Sequence, residues 1–558
     1  NSEKWIVQRM SEGTFRDLRA KGQIRALKLS DEQFGPFLGA PPERPEEASA
    51  GGWDIGVDQV EAEYSYENLS VDYRAPLFPI KQSKGTGRFD LKADTLTAII
   101  EEGKIGSLDL SKGELLLGEV VAVGKGSAEI SAHIEGPLQE VISYMSNEPI
   151  DLQKKKKIDL KNVKGDAAID LFMGFDTSKP VLMDEMVITA KGTLKDYVLP
   201  DVVKQLDLSG PALDFTLEDK KVSAGGKAEL YNRDIDFTWE EYLSSEGKPY
   251  KSKATAKLGV DPNLRKELGI VLDFFLEGTV PVDLSYVTQN DGSGVADVTA
   301  DLTQARFFIE PFDYEKEAGE KGSTEFKAVF KDDDLQEIKG LSGKAPRFTL
   351  ENTRLDFSGK GKNTALSGGA VKRFTLDETD AKLDFTVDSK GLYKVIFDAA
   401  FLDARPFLDA EEAKAVYTDP PTIISATATK MRTADKQTIS DTKLYMDIDA
   451  EGRFNQLEMD AKSGKGDIYL RFKPDKAGRR KFFMEITDAG AFLKAFNLYN
   501  GMRGGTMTVS GEPVKSVRDR NFKGTAEIKD FVVDKAPAMT KLLSILSLPG
   551  LMEVLKDD

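Results

Sequence analysis

One histidine, His133, and no cysteine occur among the 558 residues, which limits the chemistry open to the side chains. Thiol nucleophiles, disulfides, iron–sulfur clusters and thiolate zinc sites all need cysteine. One imidazole cannot supply two metal ligands, and any Ser-His-Asp relay would have to run through His133 alone. His133 lies in Ala128-Glu129-Ile130-Ser131-Ala132-His133-Ile134, where alternation places it opposite Ile130 and Ile134 as a surface histidine. Carboxylates abound, so residue types alone permit a two-carboxylate hydrolase, but no spacing points to one. Asp332-Asp333-Asp334 reads as a solvated turn between strands. Asp447-Ile448-Asp449-Ala450-Glu451-Gly452 only echoes a calcium loop and reads as a strand end with its hairpin turn. Gly85-Thr86-Gly87 and Gly124-Lys125-Gly126 lead into strands and lack the Lys-Ser/Thr and helix of a phosphate loop. Lys154-Lys155-Lys156-Lys157 reads as a solvated loop rather than a headgroup site. No catalytic residue, metal site or cofactor is assigned, and the chain is read as a non-enzyme.

The charge balance narrows the partners. With 94 Asp+Glu against 77 Lys+Arg the formal charge is −17, the wrong sign for a nucleic-acid binder. It also disfavours passive attraction to anionic headgroups. A content of 40% apolar and 31% charged residues fits a folded, soluble chain of several domains or a repeat array. The start, Asn1-Ser2-Glu3-Lys4-Trp5, has no initiator Met or apolar signal region, and no apolar stretch is long enough to span a bilayer. Both ends read as cuts in a longer protein.

The elements that carry these residues repeat at period two. Leu213-Asp214-Phe215-Thr216-Leu217 alternates apolar and polar positions, as do Phe348/Leu350, Leu355/Phe357, Phe374/Leu376 and Leu383/Phe385. Leu444/Met446/Ile448 and Ile468/Leu470 continue the pattern. Gly-containing turns such as Glu102-Gly103-Lys104, Asp388-Ser389-Lys390-Gly391 and Ser463-Gly464-Lys465-Gly466 separate the runs, which predicts an antiparallel meander of roughly 25–30 strands. Helices are few: Pro137 to Met145, Pro262 to Leu268 with Asp261 as N-cap, Ala489 to Phe496, and Ala538 to Leu555. The first twenty residues predict a short helix before a turn at Lys21-Gly22, and Ala40 to Glu47 with Gly51-Gly52 a linker. So few helices cannot cover both faces of so much sheet, so the fold class is mainly β, a long antiparallel meander coiled into an elongated U-shaped groove. A stack of ordinary sandwiches has comparable turn spacing.

Two segments, Lys382 to Leu408 and Lys443 to Leu493, are long strand runs closed by an apolar element with an Asp before it, a loose repeat. The divisions expected are 1–52 (N-terminal helix, strand and linker), 53–410 and 411–535 (groove repeats) and 536–558. In the last, Leu542, Leu543, Ile545, Leu546 and Leu551 form a Pro-broken amphipathic helix that caps the groove or lies at a membrane interface.

Gly524-Thr525-Ala526-Glu527-Ile528-Lys529-Asp530-Phe531-Val532-Val533-Asp534-Lys535-Ala536-Pro537, followed by the Leu/Ser-rich run to Leu551, resembles the C-terminal signature of AsmA-like proteins of the YhdP branch. Phe401-Leu402-Asp403-Ala404-Arg405-Pro406-Phe407-Leu408 is similar to the branch's Leu-Asp-x-x-Pro-Leu-Leu element. Gly278-Thr279-Val280-Pro281-Val282-Asp283-Leu284 is similar to its Gly-x-Val-Pro element, and Trp5 through Lys28 to its Trp-containing helix and following strand. The resemblance implies a periplasmic β-groove, anchored to the inner membrane by a segment this chain lacks, that moves phospholipid between inner and outer membranes as a monomer.

That use is physically coherent. Exposing a ~16-methylene acyl chain to water costs roughly 13 kcal/mol, so a carrier needs an unbroken apolar lining while the headgroup stays in solvent. The residues at Leu213, Phe215, Leu217, Phe348, Leu350, Leu355, Phe357, Phe374, Leu376, Leu383, Phe385, Leu444, Met446, Ile448, Ile468 and Leu470 are expected to form it. The same residues would equally suit a packed core in a non-transporting envelope scaffold.

Overall fold

A computed structural model of the chain describes residues 10–28, 53–72, 78–122, 125–146, 160–178, 185–203, 206–270, 272, 274–408, 420–476, 478–513 and 522–533. The early linker, the Lys154–Lys157 run and the C-terminal helix with Leu542, Leu543, Ile545, Leu546 and Leu551 lie outside the described residues. The protein is mainly β, with 31 strands and four short α-helices among the described residues, and the sheet does not close into a barrel. It divides into two compact units, residues 1–256 and 257–558, and the division falls inside the strand Ser252–Val260.

In the first unit, strands from Trp53–Val71 to Arg233–Tyr242 pair with their chain neighbours, every ladder antiparallel. Thr14–Lys28 is one strand, so the helix and Lys21-Gly22 turn expected there are wrong over the described residues. Leu18-Arg19-Ala20-Lys21-Gly22-Gln23-Ile24-Arg25 alternates strictly, and that period-two signal outweighs the helical spacing of the earlier residues. Gly22 sits inside the ladder opposite Val60.

The second unit is also a meander, with one exception. Tyr393–Asp403 and Thr422–Ala434 are parallel, which corrects the purely antiparallel expectation. A parallel pair cannot be joined by a tight hairpin turn, and the short helix Arg405–Leu408 follows the first of the two strands. Three short strands, Leu276–Glu277, Arg306–Ile309 and Tyr314–Lys316, form a small sheet of their own. It packs on the large sheet through Phe307 and Tyr314 against Phe348, at ring-centroid distances of 5.4 and 5.8 Å. Lys316, fully buried, ties this sheet together by donating to the carbonyls of Thr303, Ala305 and Glu317.

Three helices among the described residues fall where expected, and Arg405–Leu408 is a fourth outside that set. Leu138–Met145 buries Leu138, Val141 and Ile142. Pro262–Glu267 starts at Asp261, whose carboxylate accepts from Leu264 N at 2.8 Å. Ala489–Ala495 is capped by Asp488 and packs Phe492 and Leu493 into the core. Among the described residues no helix is long and apolar enough to cross a membrane.

Candidate functional site: an apolar face built across the strands

Period two would give each strand a single inward parity, but the inward set switches partway along many of them. In Leu108–Gly118, Leu110 is buried, yet beyond Lys112 (φ 49°) the inward residues are Gly113, Leu115 and Leu117. In Phe348–Ser358 the change comes at Asn352 (φ 46°), from Phe348 and Leu350 to Thr353, Leu355 and Phe357. In Gln437–Ile448 it comes at Asp441 (φ 52°), from Ile439 to Thr442, Leu444 and Met446. The ladder registers shift at the same places, as they must when a bulge inserts one residue. Asn and Asp accept left-handed backbone more readily than most residues, so these polar positions hold the bulges and keep both halves of a strand apolar on one face.

In the second unit the result is an unbroken cross-strand row. Tyr286 lies opposite Ala296, Ala296 opposite Ala328, Ala328 opposite Ile338, Ile338 opposite Leu355, Leu355 opposite Gly369 and Gly369 opposite Phe385. From Phe385 it continues through Val395, Ile424, Met446, Leu457 and Phe472 to Phe482. Direct cross-strand partners share a face, so this is one apolar strip across thirteen strands. Every residue from Phe385 to Phe482 in it is half-buried. Four residues further along each of these strands the face closes: Ala381, Ala399, Ala428, Thr442, Ala461, Ile468 and Ile486 are buried, and Ile468, Ile486 and Met507 are sealed under the helix Ala489–Ala495. The same strands therefore carry a packed zone and an open zone.

The expected lining residues divide between these zones. Phe348, Phe374, Leu376, Ile468 and Leu470 belong to the packed core, with Leu350 and Leu383 against it. Leu355, Phe357, Phe385, Leu444, Met446 and Ile448 are half-buried in the open zone. In the first unit Leu213 is buried, while Phe215 and Leu217 are half-buried in rows that run Gly192–Phe215–Ala224–Trp239 and Ala190–Leu217–Val222.

Glycines supply a feature that sequence reasoning missed. Tyr64 faces Gly87, Tyr66 faces Gly85, Phe215 faces Gly192 and Phe385 faces Gly369 as direct ladder partners. A methyl group at Gly192 would lie 2.7 Å from two ring carbons of Phe215, and one at Gly369 would lie 2.7 Å from the Phe385 ring. Each ring therefore lies over its glycine instead of standing up from the sheet, which keeps the apolar floor low. The signal was present as glycines at strand positions, but it acquires meaning only once the register is known.

The polar groups on this face are few and mostly structural. Tyr66 donates to Ile99 O at 2.9 Å, and burial raises its phenol pKa above the ordinary value. Thr353 and Thr442 bury hydroxyls without partners. His133 lies on the opposite, outer face, with Nδ1 2.6 Å from Asp170 and Nε2 3.1 Å from Glu135; these bonds raise its pKa. Asp332 and Asp333 occupy a turn with positive φ, and Asp449 closes a hairpin by accepting from the Glu451 and Arg453 amides. Among the described residues no group of three or more His, Asp or Glu side chains is placed to hold a metal ion. No family model, curated protein or solved structure matches the chain.

Proposed function

We propose that the protein carries acyl lipids along its apolar face, as a periplasmic component of phospholipid transport between inner and outer membranes. The observation that carries this reading is the half-buried strip from Phe385 to Phe482, continuous over seven neighbouring strands. An apolar surface of this kind is unfavourable in water and becomes favourable when it shields hydrocarbon, at about 25 cal/mol per Å² removed from solvent. The outward positions beside it, such as Asp384 and Lys443, are charged and exposed, which leaves a headgroup free to remain in water. Phospholipid as cargo and the periplasmic setting rest on the resemblance to AsmA-like proteins.

The packed zone under Ala489–Ala495 supports the competing reading of a scaffold without cargo. The discriminating experiment places a photoreactive phenylalanine analogue at Phe385, Met446 or Phe472 and, as outward controls, at Lys443 and Glu485, in cells with labelled lipid. Lipid adducts at the first three and none at the controls are expected. Equal labelling of both sets, or none, together with no lipid in extracts of the purified protein, would leave only the scaffold.

A further inference from the structure

A second site lies on the other side of the same sheet. On the outer face of the second unit, the strands Asp334–Ala345, Phe348–Ser358, Ala365–Leu376 and Thr379–Val387 surround a depression of about 430 Å³. Its lining carries Lys339, Arg354, Lys372 and Lys382 with one carboxylate, Asp384, and the amide side chain of Asn352, and is completed by Gly340, Ala370 and Val371, whose side chain packs against the core. Four cations meeting one carboxylate is unusual in a chain of net charge −17.

The bulges explain the hollow. Gly340 (φ 65°) and Asn352 (φ 46°) interrupt the first ladder, and a register shift between Val371 and Phe374 interrupts the third. Extra residues at the same level of neighbouring strands spread the backbone and bring Lys372 and Lys382 beside one another. Lys339 also stands directly opposite Lys327 in its ladder, an arrangement of like charges that is destabilising by itself.

Elsewhere in the unit some cations are paired, Lys327 with Asp297, Arg347 with Asp377 at 2.8 Å and Arg373 with Asp380 at 2.9 Å, while single lysines such as Lys394 and Lys430 form no ion pair among the described residues. Here the pairing is incomplete. Arg354 uses Nε on Asp356 at 3.2 Å, and Lys382 lies 3.8 Å from Asp398. Among the described residues no carboxylate pairs with Lys339 or Lys372. A planar guanidinium with two free nitrogens and two uncommitted ammonium groups around one depression is the donor set that a tetrahedral oxyanion requires.

We propose that this depression binds a phosphate-type oxyanion carried on a small organic group. Arg354 and the two unpaired lysines contact the oxyanion, and Asn352 and Asp384 face its organic part. The backbone separates this site from the apolar face, since Arg354, Ala370 and Asp384 are the immediate chain neighbours of Leu355, Gly369 and Phe385. An acyl lipid resting on that face does not need it, and the inference stands without the transport reading. The volume is within the range of small-ligand sites and exceeds what bare phosphate fills.

Calorimetry of the intact chain with inorganic phosphate and with glycerol 3-phosphate at low ionic strength tests the site, and flotation with phosphatidylglycerol or phosphatidylcholine vesicles identifies the source of the oxyanion. Saturable one-to-one binding is expected, tighter for glycerol 3-phosphate and weakened by salt. Lys339→Gln and Lys372→Gln should each weaken it about fivefold, and Lys227→Gln, on an exposed lysine of the first unit, should leave it unchanged. Binding to phosphatidylglycerol vesicles that the soluble phosphates compete away would identify a headgroup; phosphate binding without vesicle binding would identify a soluble ester. Both support the site. Absence of saturable phosphate binding, or binding that survives the double substitution in a variant of unchanged circular dichroism, would overturn it.

Discussion

The aromatic rings laid over glycines make a quantitative prediction at Gly369. This residue has no positive φ, so alanine is conformationally allowed there. In open space Gly→Ala would stabilise the strand by about 0.4–1 kcal/mol through the unfolded chain. The added methyl group, however, would lie 2.6 Å from the Arg354 carbonyl oxygen and 2.7 and 2.9 Å from Cε1 and Cζ of Phe385. The ring can swing away, but the carbonyl belongs to the adjacent ladder and cannot. Overpacking of this kind costs about 1–3 kcal/mol, so the net effect of Gly369→Ala is a loss of about 1–2 kcal/mol. Gly343, in the same unit, is the control: its nearest neighbours would be 3.6, 3.8 and 3.9 Å away, ordinary contacts, and Gly343→Ala should be neutral or slightly stabilising. All three tryptophans lie before residue 257, so fluorescence does not report on this unit. Amide hydrogen exchange by mass spectrometry does, over Phe348–Ser358, Ala365–Leu376 and Thr379–Val387. Exchange there should accelerate roughly 5- to 30-fold in Gly369→Ala and not in Gly343→Ala. Adding Phe385→Leu should recover the part owed to the ring and leave the part owed to the carbonyl. If Gly369→Ala protects its strands as well as Gly343→Ala does, the rings do not rest on the glycines and the low-floor argument fails.

Two further outcomes follow from single polar groups. Thr442 buries a hydroxyl with no partner, so Thr442→Val should stabilise by about 1 kcal/mol, whereas Thr433, whose hydroxyl donates to Ala495 O at 2.6 Å, should lose about 1 kcal/mol on the same change. Local exchange rates must move in opposite directions; movement in one direction would refute the assignment. His133 has a raised folded-state pKa through Asp170 and Glu135, so its contribution is fully present below about pH 6.5 and is lost as pH rises through the folded value. The stability difference between wild type and His133→Gln should therefore be largest near pH 5–6, shrink toward pH 8 and diminish in high salt, because both carboxylates are exposed. A pH-independent difference would show that the ring acts through packing.

The sequence disclosed the class of the fold because period two is local. Leu213, Phe215 and Leu217 share a face for the reason the alternation implies, and Asp261 and Asp488 cap helices by side-chain chemistry readable at the N-cap. Alternation says nothing about which strand lies beside which, so the parallel pair of Tyr393–Asp403 with Thr422–Ala434 was not legible. Nor were the glycine–aromatic pairs, which depend on register. The first strand was misread because Trp5, Ile6, Val7, Met10, Phe15 and Leu18 suit a helical face until the later alternation is given more weight. At the candidate site, sequence supplied the apolar residues but not their division. Phe374 and Met446 have similar hydrophobicity, and only the inserted small sheet and the helix Ala489–Ala495 decide which part of the large sheet is covered.

That division bears on how such a sheet can leave an apolar face open and still fold. A strand that is half-exposed along its whole inner side buries too little to offset the entropy of ordering it. Here each strand is anchored at one end by the packed zone, where Ile468, Ile486, Met507 and Leu493 are almost fully buried, and only its other end is left open. Bulges at Asn352 and Asp441 make this arrangement compatible with uninterrupted alternation, because they reset the parity where a strand passes from one zone to the other. A substitution in the packed zone should therefore cost stability without altering what the open face contacts. One in the open zone, such as Met446→Ser, should change contacts with hydrocarbon while leaving the fold nearly intact. The separation is physical: the free energy of folding is drawn largely from one end of each strand, so the other end is free to present apolar surface.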